Sequence, residues 1–147
     1  MKSKVVTVLL LTLLLSGCGL FESATSTLNY ADEATTYVQS ATDFANRVPD
    51  MVQQAAADPG IVESLKTELQ AMKDKAAAFS ALEAPAVAQD LHQQLIGYNE
   101  ALSQQISSVL EMVQADKVDW EAVNNSPLWQ TANQITQLLN QINSLGL

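Results

Sequence analysis

The chain has 147 residues, a formal net charge of −9 from 7 basic and 16 acidic side chains, and a single cysteine. That length suits one domain with one core. The acidic balance argues against nucleic acid as a partner, since phosphates call for a basic surface, and a lone cysteine excludes an intramolecular disulfide.

Lys2 and Lys4 precede Val5 to Leu15, an apolar run broken only by Thr7 and Thr12, and the small residues Ser16 and Gly17 follow. This pattern predicts a signal peptide over residues 1–17. Eleven residues of helix span about 16 Å, too short for a hydrocarbon core of about 30 Å. An ordinary secretory leader needs no cysteine at its end, whereas Leu15, Ser16, Gly17 and Cys18 resemble the bacterial lipobox. That resemblance implies cleavage between Gly17 and Cys18 and a diacylglyceryl group on the Cys18 sulfur. Two acyl chains hold a protein on a membrane where one binds only marginally. The alternative for Cys18 is an unmodified thiol at the end of a signal anchor. Cleavage takes Lys2 and Lys4 away, leaving five basic and 16 acidic side chains and a charge of −11. Such a domain is soluble and is repelled by anionic headgroups.

Residues 18–27 read as a lipid-anchored tether, small and polar from Ser23 to Thr27. From Leu28 a helical period begins: Leu28, Ala31, Val38, Ala41, Ala45, Val48, Val52 and Ala55 form one stripe, widened by Tyr30, Tyr37 and Phe44. Pro49 interrupts the pattern without changing its register, which predicts a kink rather than an end. Asp58 and Pro59 then supply an N-cap and a first helical position. Ile61, Leu65, Leu69, Met72, Ala76 and Phe79 define a second helix, and Ala84-Pro85 breaks it. Val87, Leu91, Leu95, Tyr98, Leu102, Val109 and Met112 mark a third, to about Ala115. After a connection with a short helical turn near Trp120 to Val123, Ser126-Pro127 starts a fourth. Its stripe is Leu128, Ala132, Ile135, Leu139 and Ile142, with Gly146 as C-cap. Three proline-marked breaks predict an all-α, antiparallel, up-and-down four-helix bundle over residues 28–147, with a long kinked first helix. An elongated coiled coil is the rival, but Pro59, Pro85 and Pro127 fall where hairpins need them.

Few residues suggest chemistry. His92 is the only histidine, and its sequence neighbours place it at the margin of the packed face of helix three. Asp116, Asp119 and Glu121 gather in one connection without the spacing or central glycine of a calcium loop, so they read as a solvated acidic segment and no metal site is expected. Gly97, in mid-helix, suggests close approach of another helix, or else a gap beside Tyr98 that a ligand could enter. No nucleotide-type glycine loop or other cofactor pattern is present.

The most unusual segment is 122–147, which contains no charged side chain. Gln130, Asn133, Gln134, Gln137, Asn140, Gln141 and Asn143 give the last helix a full polar face without ions. Such a face can lie against a partner at little desolvation cost, and interface cores are poor in Lys, Glu and Asp. It meets another envelope protein or a second copy, or else it is enclosed by the other helices or simply wet.

The stretches "LLLSGC", "TLNYADEATTYVQSATDFA" and "DLHQQLIGYNEAL" resemble a family of small, uncharacterised lipoproteins of Gram-positive bacilli. The resemblance implies a helical protein on the extracytoplasmic face of the cell membrane, held by lipid on Cys18, and transfers no catalytic residue. The expected function is a non-enzymatic interaction or accessory module of the cell envelope, with Gln130, Asn133, Gln134, Gln137 and Gln141 as partner face. The alternative is a small-molecule or peptide sensor with a pocket at His92, Gly97 and Tyr98. An exposed neutral strip favours the first, an enclosed polar cavity the second.

Overall fold

The structure, a computed structural model, describes residues 18–114 and 117–144, with side chains from Thr25 onward. The expected signal peptide, Asp116 and Gly146 lie outside the described residues. The elements in order are α1 (Cys18–Ala57), a 3-10 turn (Pro59–Ile61), α2 (Val62–Ser80), a second 3-10 turn (Ala86–Ala88), α3 (Gln89–Gln114), α4 (Trp120–Asn124), α5 (Leu128–Gln137) and α6 (Leu139–Asn143). There is no strand among the described residues, and no described helix is long and apolar enough to cross a membrane.

Four helical columns pack as an up-and-down bundle. α1 lies against α2 and α5, α3 lies against α2 and α5, and α1 and α3 face each other across the diagonal. The short α4 and α6 pack onto α1. Each column buries a seam spaced alternately by three and four residues, the repeat that keeps one helical face toward its neighbours. On α1 the seam runs through Tyr30, Ala34, Tyr37, Ala41, Phe44 and Val48, on α2 through Leu65, Leu69, Met72, Ala76 and Phe79. On α3 it runs through His92, Leu95, Asn99, Leu102, Ile106, Val109 and Val113.

Local sequence accounts for most boundaries. Asp58 caps the first turn, its Oδ1 accepting from the Gly60 amide at 2.8 Å, and Pro59 occupies the first position. The Pro59–Ile61 turn then feeds α2. Asp119 caps α4 by accepting from the Ala122 amide at 3.0 Å, so this carboxylate, one of the expected acidic cluster, serves the backbone. Ser126 Oγ accepts from the Leu128 amide at 3.2 Å at the start of α5. Pro49 sits inside α1 without ending it: it lacks the donor for one intrahelical bond, but Val48 and Val52 on either side are fully buried and hold the column.

Residues 18–27, the expected tether, are helical and continuous with the rest of α1; their small polar residues contain no proline to break a helix. Three expectations need correction. Leu28 is 50% exposed and Val87 67%, so neither belongs to the core, which begins at Tyr30 on α1 and Ala88 before α3. The last column breaks at Leu138, whose amide bonds to Ile135 O at 3.1 Å. That i→i+3 turn tightens the backbone and rotates Leu138 into the core, leaving Leu139 half-buried. Finally, Gly97 makes no close helix contact: it is exposed, and a Cβ built on it meets no atom within 4 Å. It lies two residues from both Leu95 and Asn99, about 200° round the helix from each, which turns it to solvent.

Since Gly97 serves no packing need, Gly97→Ala is expected to stabilise the bundle by about 0.5–1 kcal/mol through helix propensity and reduced unfolded-state entropy. Urea unfolding measures this, and a lowered midpoint would contradict it.

Candidate functional site

Two regions stand out, a polar layer inside the bundle and a charge-free face outside it. The interior layer joins α1 to α3. The Tyr37 hydroxyl donates to Asn99 Oδ1, and Asn99 Nδ2 donates to Ser80 Oγ at 2.9 Å and to the Ala76 carbonyl at 3.2 Å. Ser80 Oγ in turn donates to the same carbonyl at 2.8 Å. Every polar atom of the Asn99 amide therefore has a partner, as burial at 2% exposure demands. The Phe79 ring stacks on Tyr37 with centroids 4.6 Å apart and planes at 13°.

One heptad earlier, the Tyr30 hydroxyl and His92 Nδ1 are 3.1 Å apart. His92 is 5% exposed, not marginal as its sequence neighbours suggest, and packs against Tyr30 and Phe79 with ring centroids at 5.6 and 5.4 Å. Burial lowers the imidazole pKa from its ordinary 6.5, opposed by a backbone hydrogen bond at Leu82. Burial pushes the Tyr30 phenol up to about 12 and the Tyr37 phenol upward as well. The phenol thus keeps its proton and donates to a neutral ring. With His92 Nδ1 accepting from Tyr30, that ring nitrogen is engaged in a structural hydrogen bond and is not free to take a proton as a general base would.

The expected pocket residues are not brought together. His92 lines a cleft of about 600 Å³ with Ser80, Glu83, Gln89, Asp90 and Gln93, at the connection between α2 and α3. Gly97 is on the outer surface and Tyr98 is half-buried against the core. A second groove of about 220 Å³ between α1 and α2 exposes the edges of Tyr37 and Phe79 between Glu33 and Lys75. Both are open to solvent. No group of three or more metal-binding side chains converges among the described residues.

The outer face is the contrast. Gln130, Asn133, Gln134, Gln137, Asn140, Gln141 and Asn143 are all exposed on α5 and α6. The same helices turn Leu128, Thr131, Ala132, Ile135, Leu138 and Ile142 inward. Trp129, half-buried, stands beside the strip, its ring 6.2 Å from Phe44 and its Nε1 donating to the Asn124 carbonyl at 3.0 Å. The enclosed-helix alternative therefore does not hold: this strip meets solvent. Asn99 was missed by an apolar count of α3, although it continues the His92, Leu95, Leu102 spacing.

Removing one partner of the buried layer strands the other. Tyr37→Phe and Asn99→Leu are each expected to destabilise by about 1–3 kcal/mol, and the double variant by clearly less than their sum. Additive losses in urea titrations would show that the two side chains act independently. A lowered folded-state pKa at His92 means that the unfolded chain binds the proton first as pH falls. The stabilisation is complete above 6.5 and declines below it, toward the folded-state value. The unfolding midpoint is expected to fall on acidification below 6.5, and His92→Gln to remove that component; an unchanged pH slope would exclude it.

No solved structure matches the chain. It is 34% identical over 130 residues, 88% of each chain, to a Bacillus subtilis (strain 168) protein described as "Uncharacterized lipoprotein YybP". The profile of a family of unknown function, DUF6376, matches residues 30–145, which take in the core from its first tyrosine and all of α6. The chain belongs to the DUF6376 family.

Proposed function

We propose that this protein is a lipoprotein anchored through Cys18 on the extracytoplasmic face of the cell membrane, where its bundle serves as a non-enzymatic interaction module. The docking surface is the charge-free face of α5 and α6. The anchor reading is supported by the lipobox-like Leu15-Ser16-Gly17-Cys18 after a basic and apolar leader, and by the description of the relative as a lipoprotein. In domain terms, residues 1–17 are the leader, 18–27 the anchored start of α1 and the remainder the bundle.

The observation that carries the docking reading is the exposure of seven consecutive polar-face residues, Gln130 to Asn143, without an ion among them, on a chain of charge −9. Elsewhere, exposed acids such as Asp43, Asp74, Glu100 and Glu111 interrupt the surface. Amides both donate and accept, so they can re-pair with a partner's polar groups when water leaves, whereas a buried carboxylate needs a cation. The interior offers less: the histidine and the carboxamide of Asn99 are committed to structural hydrogen bonds. The sensor reading finds its best support in the cleft beside His92, which is open and partly acidic.

The test is made in cells expressing the full chain. Cys18→Ala should abolish lipid labelling and leave the precursor unprocessed; continued labelling would remove the anchor. A photocrosslinking residue at Gln137 should give a discrete adduct, lost when Gln134→Glu and Gln141→Glu are added, with helicity unchanged. An adduct that persists in that variant would place the contact elsewhere.

A further inference from the structure

The two exposed large apolar side chains among the described residues, Leu28 at 50% and Val87 at 67%, lie at one end of the bundle. Leu28 is two residues before Tyr30 and Val87 five before His92, and Tyr30 and His92 touch across the core. Val87 belongs to the connection ALEAPAVA, residues 81–88, where Glu83 is the only polar side chain although Ala81, Ala86 and Val87 are exposed. Connections that face water are ordinarily built from polar residues, glycine and proline. The opposite end follows that rule, with Asp58, Pro59 and Gly60 in its turn and Lys117 and Asp119 in its loop.

The same end gives rise to the amino terminus. Cys18 is twelve residues before Tyr30 on one continuous helix, about 18 Å along its axis. Val87 extends roughly 8 Å in that direction from the level of His92. Cys18 therefore stands about 10 Å beyond the apolar connection, comparable to the depth at which interfacial segments settle among headgroups.

We propose that this end of the bundle, formed by the 81–88 connection and the Leu28 turn of α1, seats on the lipid surface. The proposal rests on the reading of Cys18 as the anchor, because an anchored chain leaves the membrane at this end. Exposed carboxylates adjoin both parts of this end, Asp32 and Glu33 after the Leu28 turn and Glu83 and Asp90 in and after the connection, with Lys75 across the α1–α2 groove from Glu33. The surface that fits is zwitterionic or neutral lipid, since anionic headgroups repel these groups. Seated this way, the columns stand upright and the neutral face of α5 and α6 runs along the membrane normal, open to proteins in the same membrane.

The test uses the lipidated full chain in phosphatidylcholine vesicles that contain a phospholipid with a nitroxide in its headgroup region. Single cysteines at Leu28→Cys, Val87→Cys and, at the far end, Gln53→Cys are labelled with a small fluorophore; the Cys18 sulfur, already in thioether linkage, does not react. Emission is expected to be mostly lost at positions 28 and 87 and retained at 53. Vesicle flotation with equal emission at all three positions would overturn the seating and leave the anchor intact. Failure to float, with an unmodified Cys18 by mass spectrometry, would overturn the anchor and the seating together.

Discussion

The bundle depends on the diagonal contact between α1 and α3. Tyr30 pairs with His92 and Tyr37 with Asn99, and both pairs are separated by 62 residues. An equal offset one heptad apart is possible only for parallel helices in fixed register. Slipping α3 by a turn would leave two phenols, an imidazole and an amide buried without partners, each at about 1–3 kcal/mol. Apolar seams tolerate such slips far better, because one leucine resembles another. The polar layer thus selects one register among those that hydrophobic spacing allows, as single buried polar residues do in coiled coils. Asn99 extends the selection to α2 by donating to Ala76 O and Ser80 Oγ.

Surface contacts add little to this choice. Arg47 and Glu68 approach to 2.6 Å between α1 and α2, but the arginine side chain is 57% exposed, and such pairs are weak in water. Lys73 donates to Ser107 at 2.8 Å and Thr42 to Thr136 at 3.2 Å. These close the outer seams after the interior has set the register. Phe79 does more, since its ring meets Tyr30, Tyr37 and His92 together and fills the space between the two diagonal pairs.

The four columns and their proline-marked turns were legible because spacing of three and four residues survives in any one strand of sequence. The caps at Asp58 and Ser126 were legible for the same local reason. Asn99 and His92 were not, because reading a stripe by hydrophobicity discards polar residues that occupy its positions. Whether they are buried depends on partners 62 residues away. Leu28 and Val87 failed in the opposite sense: each fits the period of its helix, but the period does not say where the neighbouring columns stop. Gly97 likewise sits in a helix whose exposed face cannot be told from its packed face by one residue. Of the outer face, the missing charges were plain from the sequence, while its exposure required knowing that α1 and α3 are the columns packed against α5.

A surface made of amides binds weakly by itself. Each glutamine exchanges good hydrogen bonds to water for similar ones to a partner, and several flexible side chains lose rotamer freedom. On the proposed reading the anchor compensates. A bundle held on a membrane shares a thin layer with its partners, and that confinement raises the effective concentration without any new contact. The α1 helix, continuous from Cys18 through the core to Ala57, transmits the anchor's orientation to the bundle, so the approach is constrained in angle as well as distance. A weak, ion-free face is then sufficient at the membrane and negligible in solution, which gives the interaction its selectivity for anchored neighbours. The acidic remainder sharpens this, since any other approach of two such copies brings like charges together.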